Sequence, residues 1–354
     1  MKIGILTHHY INNFGAFLQG YALQKAVREL CPDDEVYIIN YINNRHFIIN
    51  TCGWFRFYRS YENMRIWCEK IHLPMIFAKA RKNYLILTKR CRDAKHIDKL
   101  KFGCIIIGSD EVWNYRDKKS NDPIKFGNGL NTKNLIAYAP SVGQAIANDI
   151  PTYVIDGIKK FKAVSARDDL TEQLAGKIRG EKIERVVDPT FLTELPDEPV
   201  EGIKKPYILF YYCDGLPGIE KNKIFEYAEQ NGYNVYGAGE GDKHYSSATV
   251  DLTPFQWVWM FRNANHVLTG TFHGAVFSIL NNRKFACFLK NPSRIKKVGS
   301  LLKEFGLEDH QCEGTAENLL STMRKNVDYT TVKQIIENKK IKSQEFLKRN
   351  IALK

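Results

Sequence analysis

No run of eighteen consecutive apolar residues occurs in the 354-residue chain, so nothing in it reads as a transmembrane helix. The apolar part of residues 1–10 is too short for a secretory signal peptide and reads instead as a first buried strand. The eight cysteines (31, 52, 68, 91, 104, 213, 287 and 312) form no C-x-x-C pair and have no histidine at metal-ligand spacing. That pattern predicts free thiols in a reducing cytoplasm, with neither a disulfide framework nor a zinc site. No P-loop, H-E-x-x-H, G-x-S-x-G or D-x-D motif is present, and the missing D-x-D argues against the metal-dependent sugar-nucleotide transferases that rely on it. Internal repeats and low-complexity segments are also absent. With 44% hydrophobic and 26% charged residues, the composition excludes a disordered or collagen-like chain, and the length suits two domains of ordinary size.

What is present in excess is positive charge. Lys and Arg outnumber Asp and Glu by 52 to 39, a formal net charge of +13. Residues 45–101 hold fourteen basic and four acidic residues, so +10 of the excess sits in one stretch. Such a balance implies an anionic partner: nucleic acid, a phosphorylated substrate or an acidic membrane surface.

Short apolar runs alternate with amphipathic segments, the pattern of a parallel sheet covered by helices. Strands are expected at 2–7, 35–40, 104–107, 135–139, 163–165 and 185–187, with a helix over 15–30. Residues 193–206 carry Pro196, Pro199 and Pro206 with four acidic residues and no apolar period, which reads as a linker. A second series follows: strands at 207–212, 234–236, 267–269 and 285–289, helices at 218–230, 254–263 and 274–280. Thr253 before Pro254 is an N-cap with proline in the first helical position. The expected organisation is an N-terminal Rossmann-like domain (1–192) with an insertion at about 45–101, the linker, a C-terminal Rossmann-like domain (207–310) and a basic amphipathic helical tail (311–354). Two such halves would face each other across a cleft.

Three loops lie at the carboxyl edges of predicted strands, where parallel sheets bind ligands. The first, residues 8–15, offers Asn13 and Gly15 at a helix start, where backbone N–H groups suit a phosphate or carboxylate; the alternative is a plain asparagine cap. The second contains Gly108, Ser109, Asp110, Glu111, Val112, Trp113 and Asn114. Asp110 there is a candidate base or hydroxyl-orienting group, and Trp113 a platform for a sugar ring; the alternative is an aspartate that caps the next turn. The third contains Thr271, His273 and Gly274, with His273 at a helix start able to donate to an anion or act as a general acid. Arg167 and Arg294 end or follow strands; each alone reads as a surface ion pair, and together they could form an anion pocket. Gly237 and Gly239 form a G-x-G without the third glycine or a following helix, so a dinucleotide site is not expected.

Placed on one helix, Trp54, Phe57, Tyr58, Tyr61, Met64, Cys68 and Ile71 form a stripe, with Arg56, Arg59 and Lys70 opposite. A basic aromatic helix of this kind lies in membrane interfaces; the alternative is a domain helix with a solvated basic face. No nucleic-acid recognition motif is found.

Read together, the loops resemble the polysaccharide pyruvyl transferase family. The blocks run in order: N-N-F-G-A-F-L-Q-G-Y-A-L-Q from Asn12, G-S-D-E-V-W-N from Gly108, A-Y-A-P-S-V-G from Ala137, S-A-R-D from Ser165 and V-D-P-T-F-L from Val187. They continue with P-F-Q-W-V-W-M-F-R-N-A-N-H-V-L-T-G-T-F-H-G-A-V-F-S-I-L from Pro254 and S-L-L-K-E-F-G-L-E-D from Ser300. Coverage is weakest over 45–101 and after His310. The resemblance implies a GT-B-like fold and transfer of the enolpyruvyl unit of phosphoenolpyruvate to a sugar as a cyclic ketal, with no metal and no cofactor beyond that donor. It implies His273 as the general acid, Asp110 as the group handling a sugar hydroxyl, and donor or sugar contacts from Asn13, Gly15, Ser109, Trp113, Asn114, Arg167, Thr271, Gly274 and Arg294. Glu111 stands where glutamine is common in the family, Ala166 where valine is common, and Thr271 where some members carry arginine, so Arg294 is expected to supply that contact. The implied acceptor is a lipid-linked or nucleotide-linked saccharide of a surface polymer, met in the cytoplasm at the inner face of the membrane. Two alternatives stand beside this reading: a GT-B glycosyltransferase using a nucleotide sugar, and a non-catalytic sugar- or phosphate-binding member.

Overall fold

The computed structural model describes residues 1–57, 63–143 and 149–352. Two compact units account for the chain. The first comprises Met1–Cys52, Ala78–Glu194 and Ile336–Lys354, the second Gly53–Phe77 and Leu195–Ile335.

In the first unit the strands are β1 (Lys2–Leu6), β2 (Glu35–Ile38), β3 (Cys104–Ile107), β4 (Asn134–Ala137), β5 (Ala163–Ala166) and β6 (Glu184–Arg185). All pair in parallel, in the order β2-β1-β3-β4-β5-β6. Both faces of such a sheet are covered, so its central strands are apolar without alternation: every residue of β3 is buried. The helix Phe14–Leu30 is capped by Asn13, whose side chain accepts the Ala16 N–H. The helix Asp169–Arg179 is capped by Asp168 and closed by left-handed Gly180. The last helix, Tyr329–Ile351, ends against this unit. Asn134 Nδ2 donates to the carbonyls of Asn350 (2.9 Å) and Ile351 (3.0 Å), satisfying two groups that a helix end leaves open. The Val187 N–H bonds Ser343 Oγ at 3.0 Å.

The second unit contains β7 (Tyr207–Tyr211), β8 (Asn234–Gly237), β9 (His266–Thr269), β10 (Lys284–Phe288) and β11 (Gln311–Cys312), parallel in the order β11-β10-β9-β7-β8. The expected cap of the helix Pro254–Asn263 is present as a full capping box between Thr253 and Gln256. Each sheet therefore has its first strand between its second and third. This winding creates a switch point at the carboxyl ends of the first and third strands, β1 and β3 in one unit, β7 and β9 in the other.

Three expectations change. Residues 195–198 are not a free tether: Arg262 donates to the Leu195 carbonyl (3.0 Å) and pairs with Asp197 (2.8 Å), while Thr253 donates to Glu198 (2.7 Å). The insertion is not one amphipathic helix but contains the helices Asn44–Gly53, Met64–Lys70 and Leu73–Tyr84, and 54–57 are non-helical. Tyr58, Arg59 and Tyr61 of the expected stripe lie outside the described residues. The insertion is also shared out, with Gly53–Phe77 grouped in the second unit, and the tail is divided at Ile336.

Among the described residues no helix is long and apolar enough to cross a membrane, and no group of three His, Cys, Asp or Glu side chains could hold a metal ion. All eight cysteines are free thiols.

Gly108 follows β3 with φ +131°, and a Cβ there would lie 2.0 Å from the Tyr138 carbonyl oxygen. Gly108→Ala is expected to lower unfolding free energy by at least about 2 kcal/mol, combining a disfavoured φ with a backbone clash. Urea titration checks this; an unchanged midpoint would show that the loop relaxes at no cost.

Candidate active site

Most of the candidate residues sit on the loops that leave the two switch points. In the first unit, Ser109 is fully buried, and its hydroxyl donates to the Ala139 carbonyl at 2.9 Å. Asp110 adopts φ +74°, the left-handed region that aspartate tolerates better than most residues. Its Oδ1 is 3.1 Å from Arg167 Nη2. Arg167, at the end of β5, also bonds Ser109 Oγ at 3.3 Å and makes a short ion pair with buried Asp188. Asp188 in turn accepts from the Thr190 N–H and hydroxyl, at 3.1 and 2.8 Å. Burial works to discharge Arg167, but Asp188, Asp110 and Asp168 outweigh it and hold its pKa above the ordinary arginine value. One guanidinium between two carboxylates leaves the trio net negative. Arg167 thus orients Asp110, and it is not an open anion clamp.

Beside this trio the loop after β1 carries a buried polar network that the sequence reading did not resolve. Lys125 is buried and donates to His8 Nε2 (2.6 Å) and to the Ser120 carbonyl (2.9 Å). The Tyr10 hydroxyl is 3.2 Å from His46 Nδ1, and the His8 and His46 rings meet edge-on with centroids 5.2 Å apart. Tyr41 donates to Asp122 at 2.7 Å. Burial lowers the histidines: His9 and His46 fall to about 4 and His8 is held well below its ordinary value, with Lys125 the next cause for His8 and His46. Lys125 itself is pushed down to about 8 by burial. At neutral pH the three imidazoles are therefore uncharged, and His8 offers Lys125 a lone pair.

In the second unit, a Cβ on Gly270 would lie 2.1 Å from the Tyr212 carbonyl oxygen, so the β9 loop runs directly against the β7 loop. Thr271 caps the helix Phe272–Leu280 by accepting the Gly274 N–H, and Gly274 is pressed onto the Thr269 side chain. His273 stands in the first turn of that helix, with its Nε2 sealed from solvent. Arg294 reaches this edge from the helix Pro292–Glu304: its Nη1 is 2.9 Å from Asp214 Oδ2 and 3.2 Å from the Gly270 carbonyl. Both partners of that ion pair are more than one-third exposed, so an anionic ligand can displace Asp214 at small cost.

The structure thus gathers Ser109, Asp110 and Arg167 in one unit, and Thr271, His273, Gly274 and Arg294 in the other. Asn13 and Thr271 have their side-chain oxygens committed to helix caps, and Gly15 is buried in the first turn of its helix. Asn114 bonds Glu111 and the Asp117 N–H. Trp113 is a correction. It has no exposed surface, stacks on Phe126 with centroids 5.7 Å apart and donates to the Lys125 carbonyl at 2.9 Å. It belongs to the core and offers no face to a sugar. Asp188 and Asp214 were missed as site residues, although the Asp-Pro-Thr run was visible and Asp214 follows a strand end.

A family model described as polysaccharide pyruvyl transferase matches residues 13–289. No curated relative matches. Among solved structures the chain is similar to the glycosyltransferase SsfS6 of Streptomyces sp. SF2575 (10% identity, TM-score 0.45, covering 98% of each chain). It is also similar to the UDP-GlcNAc 2-epimerase of Methanocaldococcus jannaschii (11% identity, TM-score 0.49, covering 96% of this chain and 99% of that one). A third is the E. coli heptosyltransferase WaaC with ADP (12% identity, TM-score 0.39, covering 96% and 100%).

The buried histidines fix a pH response. Their folded pKa values lie below their unfolded ones, so the unfolded chain binds more protons as pH falls below about 6.5. Stability is fully present above that pH and is lost towards pH 4, by up to about 1.4 kcal/mol per pH unit for each histidine. Denaturant titrations at pH 7.5 and 5.5 should show the decline, and His46→Asn should shallow it. A slope unaltered in that variant would remove His46 from the account.

Proposed function

The chain belongs to the polysaccharide pyruvyl transferase family, and on that premise we propose that it moves the enolpyruvyl unit of phosphoenolpyruvate onto two hydroxyls of a sugar in a surface-polysaccharide precursor. The observation that carries this reading is the family match over 13–289, which includes the loops after β3, β5 and β9.

The chemistry needs an acid, a base and an anion contact. A proton is added to the methylene carbon of phosphoenolpyruvate, which becomes the methyl group and leaves the central carbon electrophilic. One sugar hydroxyl attacks that carbon and loses its proton. Inorganic phosphate then departs with the C–O bond electrons, and the second hydroxyl closes the ketal. The two hydroxyl protons balance the one gained by the methyl group and the one carried off by phosphate.

His273 is the proposed acid, held at the start of a helix beside a loop that only glycine at 270 permits. Asp110 is the proposed acceptor of a hydroxyl proton. Arg167 and Asp188 position it, and it stays accessible while Ser109 is sealed. Arg294, whose present partner is a half-exposed carboxylate, is the proposed contact for the donor's carboxylate or phosphate.

The proposed acceptor is lipid-linked or nucleotide-linked, and we place its transfer at the inner face of a membrane. The insertion leaves Ile48, Ile49, Phe55, Phe57, Met64 and Met75 exposed within the most basic part of the chain. Sedimentation with anionic vesicles at low salt should carry the protein down, and added salt should release it, since each basic residue near the surface contributes about 1 kcal/mol. Equal binding to neutral vesicles, or none, would leave those residues without a membrane role.

The reaction itself is tested by phosphate release from phosphoenolpyruvate across a panel of lipid- and nucleotide-linked sugars, with mass spectrometry of the product. Acceptor-dependent release and a product heavier by one pyruvate ketal are expected. His273→Gln should lower kcat by about 10²–10⁴ while phosphoenolpyruvate still protects against thermal unfolding. Normal turnover in that variant would move the acid elsewhere.

A further inference from the structure

Arg81 lies in the second half of the helix Leu73–Tyr84, in the part that belongs to the first unit. It borders a pocket of about 480 Å³ whose other walls include His9, Tyr10, Asn40, Phe47 and Leu87. Its surroundings differ from those of Arg167 and Arg294, which both face carboxylates. Arg81 Nη1 donates to Asn12 Oδ1 at 3.1 Å. Among the described residues no carboxylate pairs with it, and burial, the single cause at work, lowers its pKa to about 10. Asn12 is itself 1% exposed, and its Nδ2 is buried without a hydrogen-bond partner among the described residues.

Beyond the Asn12 Oδ1 contact the guanidinium has no acceptor among the described residues, and Asn12 Nδ2 has none. A guanidinium has five N–H groups and cannot discharge itself at neutral pH, so burying it without a counter-ion is costly. Among the described residues no carboxylate lines the pocket. His9 is neutral because of its burial, with its ring nitrogens 3.3 Å from the Thr7 carbonyl and Asn40 Oδ1. Lys82 adds an exposed positive charge at the rim. Tyr10, Phe47 and Leu87 provide a wall for an apolar or ring-bearing body attached to that anion.

We propose that this pocket is a binding site for a diphosphate, with Arg81, held by Asn12, as its donor and Lys82 at its rim, and that it receives the diphosphate joining the acceptor sugar to its carrier. The assignment to the acceptor rests on the pyruvyl-transfer reading; the anion site does not. A diphosphate is common to nucleotide-linked and polyprenyl-linked sugars, so the shared chemistry is what the pocket recognises.

The test is calorimetric titration of the full chain with inorganic pyrophosphate, at saturating phosphoenolpyruvate so that the donor contacts are occupied. Binding is expected, weakened at least tenfold in Arg81→Gln and two- to fivefold in Lys82→Gln, but unaltered in Arg294→Gln. Titration with UDP and with a short-chain polyprenyl diphosphate then identifies the carrier: whichever binds more tightly than pyrophosphate, and loses that advantage in Arg81→Gln, is the source. Should Arg81→Gln fail to fold, phenylglyoxal labelling of the wild-type chain gives the same information, because pyrophosphate should shield Arg81 in the peptide mass map. No pyrophosphate binding overturns the proposal. So does binding lost in Arg294→Gln but kept in Arg81→Gln, or labelling of Arg81 that pyrophosphate leaves unchanged. Pyrophosphate binding through Arg81 in a chain that never turns over phosphoenolpyruvate would keep the anion site and sink the pyruvyl-transfer reading. Turnover with an acceptor KM unchanged in Arg81→Gln would keep the pyruvyl-transfer reading and overturn the assignment of this pocket to the acceptor.

Discussion

Two close approaches of backbone to backbone govern the positions of the candidate chemical groups. At Gly108 the chain leaving β3 runs against the Tyr138 carbonyl, and at Gly270 the chain leaving β9 runs against that of Tyr212, each so near that a Cβ would sit about 2 Å from the oxygen. No side chain fits at either point, so each loop is fixed by its neighbour before any functional group is placed. Asp110 follows the first contact by two residues and His273 follows the second by three. A carboxylate and an imidazole proposed to meet a substrate within a few tenths of an ångström need this kind of support from packed elements. The left-handed backbone at Asp110 is the local cost of turning its side chain back towards Arg167.

Three arginines show how the setting of a guanidinium decides its use. Arg167 is buried between Asp188 and Asp110 and serves to hold a carboxylate in place. Arg294 shares a partly exposed carboxylate and can exchange it for another anion. Arg81 is mostly buried with an amide oxygen as its named acceptor. Sequence alone presents these as three identical cations. Their difference lies entirely in which carboxylates the fold brings near, and those partners are 57 and 21 residues away for Arg167 and 80 for Arg294.

Where a local pattern determines structure, the sequence was legible. The apolar run of β3, the helix after Asn13 and the Thr253–Gln256 cap stand where their residues indicate, because burial on two sheet faces and satisfaction of helix ends are local demands. Both expected halves appear as parallel sheets. Trp113 misled because a tryptophan flanked by polar residues looks like a surface platform, whereas its indole N–H is satisfied in the core by the Lys125 carbonyl. The insertion misled for the opposite reason: its aromatic period suits one long helix, but the helix Asn44–Gly53 ends at a glycine and 54–57 leave the helical path. Lys125 gave no signal at all. A lysine in a short turn looks solvated, and its burial depends on a histidine 117 residues earlier together with the Ser120 carbonyl.

The positive charge concentrated in 45–101 illustrates the same limit from another side. A net charge of +10 says that anions will gather near this stretch, because field strength depends on the sum. It does not say which cations touch them. Arg65 is offset by Glu69 one turn away, Lys70 is turned inward onto the Arg56 carbonyl, and Arg90 donates to Asn44. Arg81 instead lines a pocket beside the β1 loop, with Lys82 at its rim and an unsatisfied amide next to it. Long-range attraction and specific recognition therefore arise from different members of one basic stretch: the exposed residues raise the local concentration of an anionic partner, and a desolvated guanidinium with fixed geometry selects among the anions that arrive.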